Sequence, residues 1–215
     1  MSKYLSEIDD LLRQRVDELS EQIRGNHNPD AKVPPMPVLL QVALKNEWET
    51  ALLTSHWVSD EKDPDLRIEL SRLAGDEAKH FQLIEKRLNE LGAVKDTGAL
   101  DERTPLFHFL MEQKDTFDRV VSGPYTREAL AVTRNVVFLE HCKSMDDFDT
   151  IALYDEIQND EGFHHRVGRK YLERLINCEA DFERAVAKMY ETLQVVDDIQ
   201  EMIVMNKGVC RIPGC

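Results

Sequence analysis

The chain has 215 residues, 42% of them hydrophobic and 32% charged, and its 41 Asp and Glu against 27 Lys and Arg give a formal net charge of −14. A chain of this size buries enough surface to hold one medium domain without staples, which excludes a disordered polypeptide and a disulfide scaffold. The acidic balance, with no dense basic cluster, argues against a nucleic-acid partner, because that affinity comes mostly from Lys and Arg displacing counterions.

The chain opens Met1-Ser2-Lys3-Tyr4-Leu5-Ser6-Glu7 without the apolar core of a secretory signal, and no run approaches the ~20 apolar residues of a membrane helix. A soluble, cytoplasmic protein with no membrane partner is the expectation. An amphipathic helix is predicted over about residues 3–24, where Leu5, Ile8, Leu11, Leu12, Val16 and Leu19 recur at helical spacing. A Pro-rich linker follows, then a helix from Pro37 to Val58 with Pro in its first turn. Ser59-Asp60-Glu61-Lys62-Asp63-Pro64 reads as a turn and Asp65 to Leu91 as the next helix. After a loop from Gly92 to Thr104, helical pattern resumes near Pro105, pauses at Gly123-Pro124 and runs to about Ile176, folding back at least once. A last helix spans about Ala180 to Met205, with an apolar stripe of Val195, Val196, Ile199, Met202 and Ile203 that covers the other helices or pairs with a second subunit; a homodimer is expected. No segment reads as a strand. The fold expected is one all-α domain over residues 1–215, a helical bundle with its metal-binding part at about 37–178.

Two short segments carry the chemistry, Asp76-Glu77-Ala78-Lys79-His80 and Asp160-Glu161-Gly162-Phe163-His164, each of the form Asp-Glu-x-x-His. On a helix, residues three apart share a face, so the carboxylate and the imidazole of each segment can ligate one metal ion. The Asp preceding each Glu can accept the second ring proton of a ligand histidine and hold its tautomer, which gives Asp76 and Asp160 a supporting role. Two copies suggest two similar half-sites.

Such a site needs further carboxylates from facing helices. Glu47 is preferred on its helix, because it and Glu77 are equidistant from the turn at 59–64 and it shares a side with Leu40, Ala43, Leu44 and Ala51. Its neighbour Glu49 reads as a solvent-facing acid. On the third helix Glu140 and Glu128 compete. Glu140 lies with Ala129, Val132, Val136 and Val137, and its midpoint with Glu161 falls in Asp149-Thr150-Ile151-Ala152. Glu128 has the better turn at its midpoint, Lys143-Ser144-Met145-Asp146-Asp147, but reads as a helix-start residue. Glu140 is the preferred ligand, with Glu128 the alternative.

Hard oxygen donors with one imidazole per metal suit iron, with manganese possible, better than zinc. Four carboxylates balance two divalent ions, so metal binding is expected to stabilise the fold. His165 and His141 lie about 100° round their helices from the ligand positions and read as packing or hydrogen-bonding residues, while His27, His56 and His108 have no carboxylate partner at helical ligand spacing. Gly162, costly inside a helix, either leaves room for a ligand or permits close packing. The four cysteines, Cys142, Cys178, Cys210 and Cys215, form no Cys-x-x-Cys pair and read as reduced thiols.

Glu47, Glu77 with His80, a helical Glu, and Glu161 with His164 together resemble the ferritin-like dinuclear iron carboxylate superfamily over roughly residues 37–178, and Asp-Glu-x-x-His is especially similar to its oxygen-activating branch. The resemblance implies a four-helix bundle holding two irons, with Glu77 and Glu161 bridging, Glu47 with His80 at one end, and Glu140 with His164 at the other. It also implies an oxidase or oxygenase that uses dioxygen and an electron donor on a small organic molecule in an adjoining apolar pocket. An iron-oxidising or peroxide-removing protein similar to ferritins or rubrerythrins ranks second. A metal-free helical interaction protein ranks third.

Overall fold

The structure is a computed structural model that describes residues 3–25 and 34–207, and the side chains of 3–22 and 34–199. His27, Cys210, Cys215 and the side chains of Met202 and Ile203 lie outside that description. Every regular element among the described residues is helical: α1 (Lys3–Gly25), α2 (Met36–Asp60), α3 (Pro64–Glu90), the short α4 (Thr97–Asp101) and α5 (Pro105–Met111), α6 (Thr116–Val120), a π-helical segment (Val121–Arg127), α7 (Glu128–Ser144), α8 (Phe148–Leu175) and α9 (Glu179–Lys207). None of these helices is long and apolar enough to cross a membrane.

The long helices begin where the sequence supplies caps. Asp63 accepts from the backbone N–H of Asp65 at 2.9 Å, and Pro64 fills the first turn of α3, where its missing N–H costs nothing. Asp147 accepts from the N–H of Thr150 at 3.1 Å and from its hydroxyl at 2.8 Å, and Arg87 of α3 donates to the same Asp147 at 2.8 Å. The start of α8 is thereby pinned to the end of α3. The turn between α2 and α3 is closed by Glu61, whose carboxylate accepts from the N–H groups of Lys62 and Asp63 at 2.7 and 2.8 Å and from the Thr116 hydroxyl at 2.9 Å.

The expected pause at Gly123-Pro124 is absent. Val120, Arg127 and Glu128 all have right-handed helical dihedrals, so α6, the π segment and α7 run as one continuous rod. Pro124 has no N–H, and in a regular α-helix its ring presses on the carbonyl four residues earlier. Widening the turn to π geometry relieves that clash without breaking the rod. Ser122 adds a hydroxyl bond to the Asp118 carbonyl at 2.6 Å. The expected loop 92–104 likewise contains one short helix, α4.

α2 with α3 and α7 with α8 form two antiparallel hairpins that meet where α3 packs on α8, while α1, α5 and α9 cover the sides. The apolar core is split in two. One cluster includes Leu53, Trp57, Leu66, Leu70, Val120, Tyr125, Leu130, Tyr171 and Leu172 together with α1 and α9 residues such as Ile8 and Met189. The other holds Leu39, Leu40, Leu44, Ile84, Leu88, Phe138, Tyr154 and Ile157. Each of the four hairpin helices passes from one cluster to the other; between the two, α2 carries Glu47, α3 carries Glu77 and His80, and α8 carries Glu161 and His164, while on α7 Glu128 sits just ahead of Leu130. Burial of these apolar faces is worth about 25 cal/mol per Å², which lets the fold carry the charged layer between them.

Candidate metal centre

The charged layer consists of Glu47 from α2, Glu77 and His80 from α3, Glu128 from α7, and Glu161 and His164 from α8. All six are buried, and Glu77 and His80 have no exposed surface at all. They form two overlapping groups: Glu47, Glu77, His80 and Glu161, and Glu77, Glu128, Glu161 and His164, each with ligand atoms all within 4.8 Å of one another. Glu77 and Glu161 belong to both. His80 Nδ1 stands 3.3 Å from Glu47 Oε2 and 3.8 Å from Glu77 Oε2. His164 Nδ1 stands 3.4 Å from Glu77 Oε1 and 3.7 Å from Glu128 Oε2.

The two supporting aspartates are crossed. His80 Nε2 lies 3.2 Å from Oδ2 of Asp160, and His164 Nε2 lies 3.2 Å from Oδ2 of Asp76. Each Asp-Glu-x-x-His segment therefore holds the other segment's histidine rather than its own. With the Nε2 proton given to aspartate, Nδ1 is the ring nitrogen presented to the carboxylates.

Charge in the layer is balanced internally by protons. Burial depresses both imidazoles, but Glu47 and Glu77 more than reverse this for His80 and push it up to about 12. His164 is raised as well, against its burial, by Glu128, Glu161 and Glu77. Burial raises Glu77, yet the neighbouring His164 and His80 imidazoles carry it well below the usual carboxylate range. Glu128 is lowered too, with burial outweighed by Glu161, the Arg127 guanidinium and His164. Glu47 is pushed up to about 8 by burial and by the charge of Glu77, and Glu161 rises well above the ordinary range through burial and the charges of Glu128 and Glu77. The imidazoles are thus drawn toward the protonated form and Glu77 and Glu128 toward the ionised form, while Glu47 and Glu161 are drawn toward the neutral acid.

Protons do not satisfy every atom. Both oxygens of Glu77, one each of Glu128 and Glu161, and Nδ1 of His164 are buried without a properly aligned hydrogen-bond partner. Orphaned polar atoms at this depth each cost on the order of 1–3 kcal/mol. All converge on the space between Glu77 and Glu161, and all are of the type that binds a divalent cation. Four carboxylates and two imidazoles would balance two such ions.

The structure corrects the choice on the third helix. Glu128 is 1% exposed and lies beside His164, whereas Glu140 is exposed on the outer side of α7. The two positions are twelve residues apart, which turns the side chain about 120° round the helix. Apolar periodicity misleads here because the inner face of α7 is partly polar: Arg134, Asn135 and His141 are buried, and Val136 on the Glu140 side is 42% exposed. The hairpin midpoint was the sounder signal, since Met145–Asp147 is the observed turn between α7 and α8. Glu128 is not a helix-start acid either, because the rod continues through it.

Glu49 is a second correction. It is buried, and its carboxylate accepts from the N–H of Thr104 at 2.8 Å and from the Thr104 hydroxyl, capping the entry to α5 instead of facing solvent. No motif in the sequence marks Arg127, whose guanidinium donates to Glu128 Oε1 at 2.9 Å at the edge of the six-residue layer and adds a positive charge there. His165 does bond the backbone, at 2.8 Å from the Tyr125 carbonyl. Among the other cysteines, Cys142 is buried and Cys178 exposed, both as free thiols.

No curated protein and no solved structure matches the chain. Residues 40–201, which contain every member of the buried layer, match the family model described as "Protein of unknown function (DUF455)", and the chain belongs to that family.

Proposed function

We propose that the chain is a ferritin-like dinuclear metal oxidoreductase that uses dioxygen to oxidise a small organic molecule, with iron as the metal and manganese as its closest substitute. The observation that carries this reading is the pair of overlapping groups sharing Glu77 and Glu161. Two ion positions with two carboxylates in common suit a pair of metals held side by side. Glu47 and His80 would complete one position, and Glu128 and His164 the other. Oxygen-rich donors with one imidazole each favour iron or manganese over zinc. Bound there, two ferrous ions would supply electrons to dioxygen, and an external donor would restore them.

The chain's own residues have clear tasks in this reading. Asp160 and Asp76 hold the Nε2 protons of His80 and His164, so both Nδ1 atoms point inward. Leu44, Ile84 and Ile157 on one side and Tyr125 and Leu130 on the other exclude bulk water from the layer. In that dry setting a charge imbalance is expensive, which makes metal uptake and proton release a coupled exchange.

The test is elemental analysis after anaerobic ferrous reconstitution, beside a Glu77→Ala/Glu161→Ala variant checked for helical circular dichroism. About two irons per chain in the wild type, lost in a folded variant, is the expected result. Metal at trace level in reconstituted wild-type protein overturns the reading and leaves a helical interaction protein. Metal-loaded protein that consumes peroxide or ferrous ion but turns over no organic molecule points to the ferritin or rubrerythrin type of chemistry.

A further inference from the structure

A cavity of about 400 Å³, open to one side, lies between α1, α7 and α8. Its walls include Ala129 and Gly162, each the residue after a member of the buried layer, so the cavity backs directly onto the segments that carry Glu128 and Glu161. The lining is mixed: Leu12, Val16 and Val132 share it with Arg13, Arg166 and Arg169, and with two acids, Asp9 and Asp17.

Its charges are unevenly committed. Arg169 is bound to Asp9 at 2.8 Å, and Asp9 also accepts from the Tyr125 hydroxyl at 2.9 Å, so this pair builds the wall. Arg13 reaches exposed Asp10 at 3.2 Å, a surface contact that is easily exchanged. Arg166 has no ion-pair partner among the described residues and lies 5.9 Å from the Phe163 ring. Within the lining three guanidinium groups face two carboxylates, and with Asp10 set against Arg13 it is Arg166 that, among the described residues, stands without an ion pair, in a chain whose overall balance is −14.

Gly162 gives the cavity a purpose beyond packing. A Cβ there would meet only the mobile end of Arg166, at 3.3 Å, whereas on Gly168 it would stand 2.3 Å from the Pro124 backbone. Helix packing therefore demands glycine at 168 and not at 162. Glycine inside a helix costs roughly 1 kcal/mol relative to alanine, and at 162 it leaves the place of a side chain to the Arg166 guanidinium beside the buried layer.

We propose that this cavity binds a small carboxylic acid with an apolar body. The carboxylate pairs with Arg166 above Gly162, assisted by Arg13, and the apolar part lies over Leu12, Val16 and Val132. A guanidinium fork matches a carboxylate in geometry as well as in charge, and the volume falls within the range of small-molecule sites. That this acid is the molecule oxidised rests on the dinuclear reading above; its binding does not.

The test is calorimetric titration of the full-length chain, with metal content measured on each sample, using octanoate and octan-1-ol as probes. Octanoate is expected to bind at least about tenfold more tightly than the alcohol. Arg166→Gln, at an exposed position, is expected to abolish that preference, and Gly162→Leu to weaken both probes about tenfold with metal content and helical signal retained. Equal affinity for acid and alcohol, no binding of octanoate at about 1 mM, or a preference that survives Arg166→Gln overturns the proposal. The two readings fail separately: metal-poor protein that still binds octanoate through Arg166 refutes only the dinuclear centre, and metal-loaded protein that does not discriminate refutes only the acid site.

Discussion

Gly168 lies so close beneath Pro124 that a Cβ on it would stand 2.3 Å from the Pro124 carbonyl carbon and 2.4 Å from its oxygen. The backbones of α8 and the π segment touch at that point. Trp57 presses on the same segment, since a Cβ on Gly123 would meet its ring at 2.7 Å. This double contact fixes the rod that carries Glu128, and it explains why the segment around Pro124 is buried although it is rich in helix-breaking residues.

Gly168→Ala should therefore destabilise the protein by about 1–3 kcal/mol, as overpacking against backbone does. Gly162→Ala should leave stability unchanged or raise it by up to about 1 kcal/mol through helix propensity. Urea denaturation of the two variants beside the wild type checks the opposite signs.

Glu128 and Glu140 make a matched pair for substitution. Glu128→Gln removes a carboxylate from the second group and should lower iron from about two to about one per chain. Glu140→Gln alters an exposed residue and should keep the full complement. Elemental analysis after identical reconstitution separates them, and equal loss in both would overturn the assignment of Glu128.

The crossed aspartates should affect metal affinity without being ligands. Asp160→Ala frees the His80 ring, and Asp76→Ala frees that of His164; each should weaken metal binding by about 10–100-fold with the fold retained. Chelator competition measures the affinity, and circular dichroism the fold. An unchanged affinity in both variants would show that packing alone holds the imidazoles.

Metal uptake should release protons. Without metal, the protons held at neutral pH are those on His80, raised to about 12, on His164, also raised, on Glu47, raised to about 8, and on Glu161. All four ligands must lose them to bind, so roughly four protons should appear per pair of ions near pH 7. Metal affinity therefore falls as pH falls, and as pH rises through about 8 the Glu47 contribution to proton release disappears. Titration with ferrous or manganous ion in buffers of different ionisation enthalpy gives the proton count, and release of fewer than about one proton would contradict this balance.

Much of the fold was legible because its signals are local. The helix over about 3–24, the turn at 59–64 and the helix to Leu91 follow from apolar spacing, an Asp cap and a proline in the first turn, all within a few residues of one another. The two Asp-Glu-x-x-His segments were legible for the same reason, since a helix places residues three apart on one face wherever it lies. Glu47 followed from hairpin symmetry about a strong turn signal. Glu140 was preferred over Glu128 because two local readings outweighed the hairpin midpoint: Gly123-Pro124 looked like a break, and the apolar side of α7 looked like the inner side.

What the sequence determined by itself is thus the long helices α1, α2, α3 and α9, the loop between the first hairpin's arms, and the residue types at two repeated motifs. Only tertiary structure decided which carboxylate of α7 joins them, that each aspartate serves the opposite motif's histidine, and that Gly168 is required where Gly162 is not. These depend on how helices far apart in the chain meet, through backbone contact at Pro124 and the two apolar clusters that enclose the charged layer. Helical periodicity describes one helix at a time, and an interhelical distance is a property of two.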